Sequence, residues 1–195
     1  MLFLSQTEDP PKVVLITSPL PAEGKTTLAT NLAIALTIQG KTCLVDADLR
    51  MPSVGLSFKL FPRFGLEHYL QGSATLDQVL LPSSQVKNLT IIPVVAPADH
   101  ANYLLTGGPI LRLVARLRER FDFVVIDTPP ILPYADGLAV STLVDGVILM
   151  GRAGQTPRGA ITRSMELLGV MKSAPILTVV LNGVDERYGY GVYSH

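Results

Sequence analysis

One cysteine, Cys43, stands alone in 195 residues, so no disulfide can form within the chain. It lies inside the apolar run TCLVDA, where a small buried core residue and a reducing compartment fit. Neither sign of charge dominates: 16 basic and 16 acidic residues give a formal net charge of zero. A bulk nucleic-acid binder is thereby disfavoured, and no nucleic-acid partner is expected. No apolar run approaches the ~20 residues of a membrane span. The opening MLFLSQTEDPPK has no basic segment and too short an apolar stretch for a secretion signal. His68, His100 and His195 share no metal-ligand spacing, so solvated or core roles are expected of them. No Ser–His–Asp or Cys–His pattern can be argued, and no internal repeat is visible.

What the chain does have is apolar residues, 48% of the total, enough for a substantial core. They fall into short β-branched runs alternating with helix-like segments. Strands are expected at 13–17, 42–47, 89–94, 123–127, 146–151 and 175–182. Helices are expected at 25–40, closed by Gly40, and at 109–121, 135–144 and 156–171. Strands apolar throughout are buried on both faces. The fold class is therefore α/β, with a doubly wound, mostly parallel sheet flanked by helices. Ligands of such sheets bind beyond the carboxyl ends of the strands. The basic run RLVARLRER carries leucines at helical spacing and reads as a solvated helix face. Segment 49–88 is the least regular and is expected to cover the site or to form a subunit contact. Residues 1–182 read as one domain, and the glycine-rich 183–195 as a flexible tail.

Three strand ends carry chemistry. The first is TSPLPAEGKTT, which ends like the phosphate-binding pattern G-x-x-x-x-G-K-[ST] but has Pro19 where its first glycine belongs. Gly24 permits close backbone approach, Lys25 can reach the β- and γ-phosphates, and Thr26 can ligate Mg²⁺. Strand, loop and helix follow in the order the motif demands. In LVDADLR, Asp46 and Asp48 close a strand. Carboxylates two apart in extended chain point the same way and suit a hydrated cation, although aspartates also simply begin turns. In FVVIDTPP, Asp127 has the Walker B form, a carboxylate at a strand end near the metal.

These three motifs together resemble the bacterial tyrosine kinases (BY-kinases) of capsule and exopolysaccharide synthesis, relatives of the MinD and ParA P-loop ATPases. Family loops read roughly S-x-x-P-G-[EA]-G-K-[ST]-T, and SPLPAEGKTT departs only at Ala22. Position 19 is thus not required to be glycine, whereas Ala22 is strained if its φ must be positive. D-x-D-x-R, here Asp46 to Arg50, resembles the Walker A′ motif that separates these kinases from their relatives. The phrase DGVILMGRAGQTPRGA and the closing strand VVLNGVD are also similar to the family. MinD and ParA proteins carry a signature lysine that would fall at position 20, where this chain has Leu20.

The resemblance implies an ATP- and Mg²⁺-dependent protein-tyrosine autokinase that regulates polysaccharide polymerisation and export. The alternative is a MinD/ParA-type ATPase switch without kinase activity. The nucleotide is expected on Ala22, Glu23, Gly24, Lys25, Thr26 and Thr27, with Asn182 at adenine. Catalytic roles are expected of Lys25, Asp46, Asp48 and Asp127, and metal contacts of Thr26, Asp48 and Asp127. Asp46 is the expected partner of the acceptor hydroxyl. Tyr188, Tyr190 and Tyr193 are the expected phosphoacceptors, on the chain's own or a neighbouring subunit's tail. Further partners implied are a membrane-spanning polysaccharide co-polymerase region or adaptor and a cognate tyrosine phosphatase. The expected place is the cytoplasm, at the inner face of the bacterial plasma membrane. Nothing before Asp9 fits the family's E-x-x-R-x-x-R intersubunit helix. The chain is therefore read as a catalytic fragment, monomeric or weakly associated, of a protein that is a homo-oligomer at full length.

Overall fold

The computed structural model describes residues 10–98 and 100–184. In chain order the elements are β1 (Val13–Thr17), α1 (Lys25–Leu36), β2 (Thr42–Asp46), α2 (Val54–Ser57), α3 (Leu66–Leu70), α4 (Leu76–Val79), β3 (Leu81–Pro82), β4 (Leu89–Ile92), α5 (Ala101–Thr106), α6 (Gly108–Arg120), β5 (Phe123–Asp127), α7 (Asp136–Ser141), β6 (Gly146–Arg152), α8 (Arg158–Val170) and β7 (Ile176–Asn182). The strands form one sheet in the order β3-β4-β2-β5-β1-β6-β7. All pairings are parallel except the edge pair β3–β4. That antiparallel edge was not expected, because a two-residue strand shows no periodicity.

Alternation along β1 shows why the sheet is covered on both faces. Val13 and Leu15 point into a cluster with Leu113 and Leu117 of α6, Leu138 of α7 and Leu168 of α8. Val14 and Ile16 point into the opposite cluster, with Ala29, Ala33 and Leu36 of α1. The apolar strands have no polar face, so helices must cover both. Cys43 is fully buried in the first cluster, and burial pushes its thiol far up.

Several expected boundaries shift, three of them for evident local reasons. β4 ends at Ile92 rather than residue 94, because Pro93 has no N–H for the ladder. α1 closes at Leu36, four residues short of Gly40. Thr37, Ile38 and Gln39 donate to the carbonyls of Ile34, Ala35 and Leu36, which tightens the last turn to i→i+3 bonding. Gly40 is there for another reason: a Cβ on it would lie 2.6 Å from the Asp122 carboxylate, which accepts the Lys41 N–H at 2.7 Å. α7 spans 136–141 rather than 135–144, and its end is likewise tightened by Thr142 and Leu143 N–H bonds to the carbonyls of Ala139 and Val140.

The irregular segment 49–88 holds the three short helices α2, α3 and α4. Glu67 of α3 is buried and accepts the N–H groups of Val95 and Ala96 at 2.9 and 3.2 Å, tying α3 to the chain after β4. His68 accepts the Gly65 N–H and packs edge-on against Phe64.

Candidate active site

The carboxyl ends of β1, β2 and β5 converge on one hollow. β1 gives way to a loop, 18–24, that enters α1 through Gly24 at φ +98°. The loop is braced from outside. Glu23 is almost fully buried; its carboxylate accepts the Leu20 N–H at 2.9 Å and the Thr156 hydroxyl. Asn182 Nδ2 donates to the Glu23 carbonyl at 3.1 Å, and Arg152 donates to the Ala22 carbonyl at 3.3 Å. With these carbonyls held outward, the N–H groups of Ala22, Glu23 and Gly24 find no acceptor among the described residues. The first N–H groups of α1 are free as well, as at any helix start. The result is a cradle for an anion at a helix N-terminus.

Ala22 sits at φ +60°, the left-handed region. The departure from glycine noted in the sequence is thus strained, by roughly 1 kcal/mol. Gly24 is required twice over. Its φ is positive, and a Cβ there would lie 2.4 Å from Asn182 Nδ2.

A cavity of about 410 Å³ opens over the cradle. Ala22, Gly24, Lys25, Thr26, Thr27 and Asp48 all line it, joined by Met51, Ser53 and Tyr134. Its size suits a small-molecule ligand. The remaining expected residues stand one layer back. Glu23 and Asn182 hold the loop as described. Asp127 Oδ2 accepts the Thr26 hydroxyl at 2.6 Å, and Ser53 Oγ donates to Thr26 Oγ1 at 2.9 Å. Asp127 Oδ1 is buried without a hydrogen-bond partner among the described residues.

Asp46 and Asp48 are held differently. β2 ends at Asp46, so the two-residue repeat of an extended strand stops there. Asp46 is fully buried; it accepts the N–H of Asp48 at 3.2 Å and those of Ser53 and Val54 at 3.0 Å each. It thereby folds 46–54 back over the end of β2. Asp48 accepts the N–H groups of Arg50 and Met51 on Oδ1 and lines the cavity. Burial and the charge of Asp127, its cross-strand partner, push the Asp46 carboxyl up to about 8. Burial likewise pushes Asp127 up to about 7, against the Thr26 hydrogen bond and the nearby Lys25.

An orphaned carboxylate oxygen beside a P-loop hydroxyl fits a hard cation with oxygen ligands. Among the described residues no three His, Cys, Asp or Glu side chains gather to hold a metal alone. Mg²⁺ takes one or two protein oxygens and completes its shell with phosphates and water.

Some contacts around the site carried no signal in the sequence. Arg50 reaches across to Asp136, Nε to Oδ2 at 2.8 Å, and its guanidinium lies 4.6 Å from the Tyr134 ring centroid. The loop after β5 is sewn to the loop after β1: Thr17 Oγ1 donates to the Pro129 carbonyl, Thr128 to that of Ile16, and the Ile131 N–H to that of Ser18. Tyr188, Tyr190 and Tyr193, and the boundary placed at 183, concern residues that lie mostly or wholly outside the described ones.

Fold and loop define a P-loop nucleotide-binding protein. A protein-family model described as an AAA domain matches residues 13–150. The chain is 34% identical over 186 residues to the tyrosine-protein kinase YwqD of Bacillus subtilis, covering 94% of this chain and 78% of that one. It is 33% identical over 179 residues to the succinoglycan biosynthesis transport protein ExoP of Rhizobium meliloti, covering 89% of this chain and 22% of ExoP. Among solved structures, the VpsO kinase domain superposes with TM-score 0.86 at 33% identity, over 94% of this chain and 90% of that one. The septum site-determining protein MinD of Pyrococcus horikoshii, complexed with Mg-ADP, gives 0.76 at 25% identity, over 90% and 72%. The chain belongs to the bacterial tyrosine-protein kinase family.

Proposed function

We propose that this protein transfers the γ-phosphoryl group of Mg-ATP to tyrosine, and that it does so in the control of extracellular polysaccharide synthesis. One observation carries the reading. The cavity lined by Lys25 and Thr26 of the phosphate loop is also lined by Asp48, a carboxylate from a different strand end. The family relationship supports the activity, and the likeness to ExoP supports the polysaccharide setting.

Thr26 and Asp127 would hold Mg²⁺, which when bound neutralises phosphate charge. Lys25 neutralises the charge that develops on the transferring group. The free N–H groups of 22–24 fix the phosphates. Tyrosine has a pKa near 10, and a carboxylate is a weak base for it. A loose transition state asks little of that base before the phosphorus is in flight. The tyrosine Oη–P bond forms as the bond to the leaving ADP oxygen breaks. The phenolic proton passes late to a carboxylate. We assign that role to Asp48, whose Oδ2 makes no hydrogen bond among the described residues. Asp46, with three N–H donors upon it, positions the 46–54 loop instead. Asn182, which already touches the loop, would border adenine.

The acceptors in this reading are Tyr188, Tyr190 and Tyr193, and transfer runs between copies. The protein works at the cytoplasmic membrane face beside a co-polymerase region, and a phosphatase resets it. Among the described residues no helix is long and apolar enough to cross a membrane. Phosphopeptide mapping after incubation with Mg-ATP tests the assignment: phosphate on the 183–195 peptide is expected. ATP turnover with an unmodified tail would favour the switch reading over the kinase.

A further inference from the structure

Ser53 closes the loop after β2 and stands immediately before α2. A serine at that position ordinarily turns its oxygen back to accept an N–H of the helix that follows. Ser53 makes no such bond. The N–H groups of Ser53 and Val54 go to Asp46 Oδ2 instead, at 3.0 Å each. The Ser53 hydroxyl is thereby released from capping and reaches across to the phosphate loop, with Oγ 2.9 Å from Thr26 Oγ1. Among the described residues this is the one hydrogen bond that ties segment 47–53 to α1 or to the loop before it.

The protons along this chain have a direction. Thr26 gives its single hydroxyl proton to Asp127 Oδ2 at 2.6 Å. Ser53 is therefore the donor in its bond to Thr26. Ser53 Oγ keeps both lone pairs and accepts no hydrogen bond among the described residues. Thr26 Oγ1 keeps one lone pair, and Asp127 Oδ1 is without a partner there. Three oxygens with unused lone pairs are thus linked by two hydrogen bonds. Two are neutral hydroxyls that line the nucleotide cavity, and the third is a buried carboxylate oxygen.

We propose, on the placement of the cation at Thr26 and Asp127 given above, that Ser53 is a further residue of the cation site: when Mg²⁺ is bound, its hydroxyl leaves Thr26 and accepts a proton from a cation-bound water. With the cation on Thr26, the Ser53 O–H dipole would present its positive end to a divalent charge. Turned round, the same dipole is favourable. Mg²⁺ holds its oxygens at about 2.0–2.1 Å in an octahedron and keeps several waters, so adjacent oxygens of its shell stand roughly 3 Å apart. Ser53 Oγ, 2.9 Å from Thr26 Oγ1, is close enough to meet a water bound next to Thr26. The bond given up joins two neutral hydroxyls. The bond gained is to a water polarised by the cation, and charge-assisted bonds are roughly twice as strong as neutral ones. Ser53 therefore favours the cation-bound state over the empty one.

The test is calorimetric titration of ADP into the intact protein with and without Mg²⁺, reading the ratio of the two affinities for each variant. A loop defect that weakens nucleotide binding in both conditions cancels in that ratio. Ser53→Ala is expected to lower it about fivefold. Ser53→Thr, which keeps the hydroxyl, is expected to match the unmodified protein. An unchanged or raised ratio in Ser53→Ala would overturn the role of Ser53, as would an equal loss in Ser53→Thr. Asp127→Asn distinguishes this from the underlying cation placement, and should lower the ratio further than Ser53→Ala does. A ratio lost in Asp127→Asn but kept in Ser53→Ala would overturn Ser53 alone. No magnesium effect in the unmodified protein, or one untouched by Asp127→Asn, would overturn the cation placement and Ser53 with it.

Discussion

The guanidinium of Arg50 is paired with the fully buried carboxylate of Asp136, Nε to Oδ2 at 2.8 Å and Nη2 to Oδ1 at 3.4 Å. Arg50 belongs to the loop after β2 and Asp136 to the first turn of α7. Arg50 also donates its own N–H to Asp48. One residue thus fixes the cavity-lining carboxylate from the backbone and anchors it to the β5–α7 connection from the side chain. Arg50→Gln should leave Asp136 buried and unpaired. A loss of roughly 2–4 kcal/mol is expected by denaturant titration, because breaking a buried pair costs more than making it returns. Asp136→Asn combined with Arg50→Gln should recover part of that loss. Additive losses would mean that the two residues do not act as a pair.

Lys25 is almost buried at the start of α1 and faces the cavity. Lys25→Met keeps the length of the side chain and removes its charge. Transfer to tyrosine should fall by about 10²-fold or more, the scale for losing one charge-stabilising donor. Circular dichroism and the melting temperature should stay close to those of the unmodified protein.

In the reading proposed above, Asp127 would stabilise a bound cation at a cost to the empty fold. Its carboxyl is raised to about 7 when folded, against about 3.9 in an unfolded chain. Below pH ~4 both states hold the proton, and the group is neutral to stability. Between ~4 and 7 only the folded state holds it, so stability falls as pH rises through that window. Above 7 the penalty is complete. Asp127→Asn should therefore raise the melting temperature of metal-free, nucleotide-free protein at pH 8, by the equivalent of roughly 4 kcal/mol at most. The gain should vanish near pH 4. The same variant should bind Mg-ADP more weakly. A melting temperature lowered by Asp127→Asn at pH 8 would contradict this.

Ala22 holds a left-handed conformation that glycine adopts without strain. Ala22→Gly should stabilise the protein by up to about 1 kcal/mol, less the entropy that glycine adds to the unfolded chain. Nucleotide affinity should be unchanged or better.

Much of this was legible in the sequence, because the strands are apolar throughout and the motifs sit at their ends. Periodicity gave the helices on both faces, and motif order gave Lys25, Thr26 and Asp127. Other features depend on tertiary partners that no local pattern encodes. Gly40 resembles a helix C-cap but makes room for Asp122, 82 residues further along the chain. Asp46 and Asp48 look equivalent, yet the strand ends at the first, which is buried under three N–H donors, while the second lines the cavity. Glu23 looks like a ligand-facing loop residue, yet its carboxylate braces the loop from behind. The Arg50–Asp136 pair spans 86 positions and carries no local signature.

The fate of the γ-phosphate separates the two readings of this site most directly. Purified protein and its Lys25→Met variant would be incubated with γ-labelled Mg-ATP, and label counted both as phosphotyrosine and as free inorganic phosphate. Label on tyrosine in the unmodified protein, concentrated in 183–195 and absent from the variant, is the expected result. Steady release of inorganic phosphate with no phosphotyrosine at any protein concentration would contradict the kinase assignment and leave a nucleotide switch in its place.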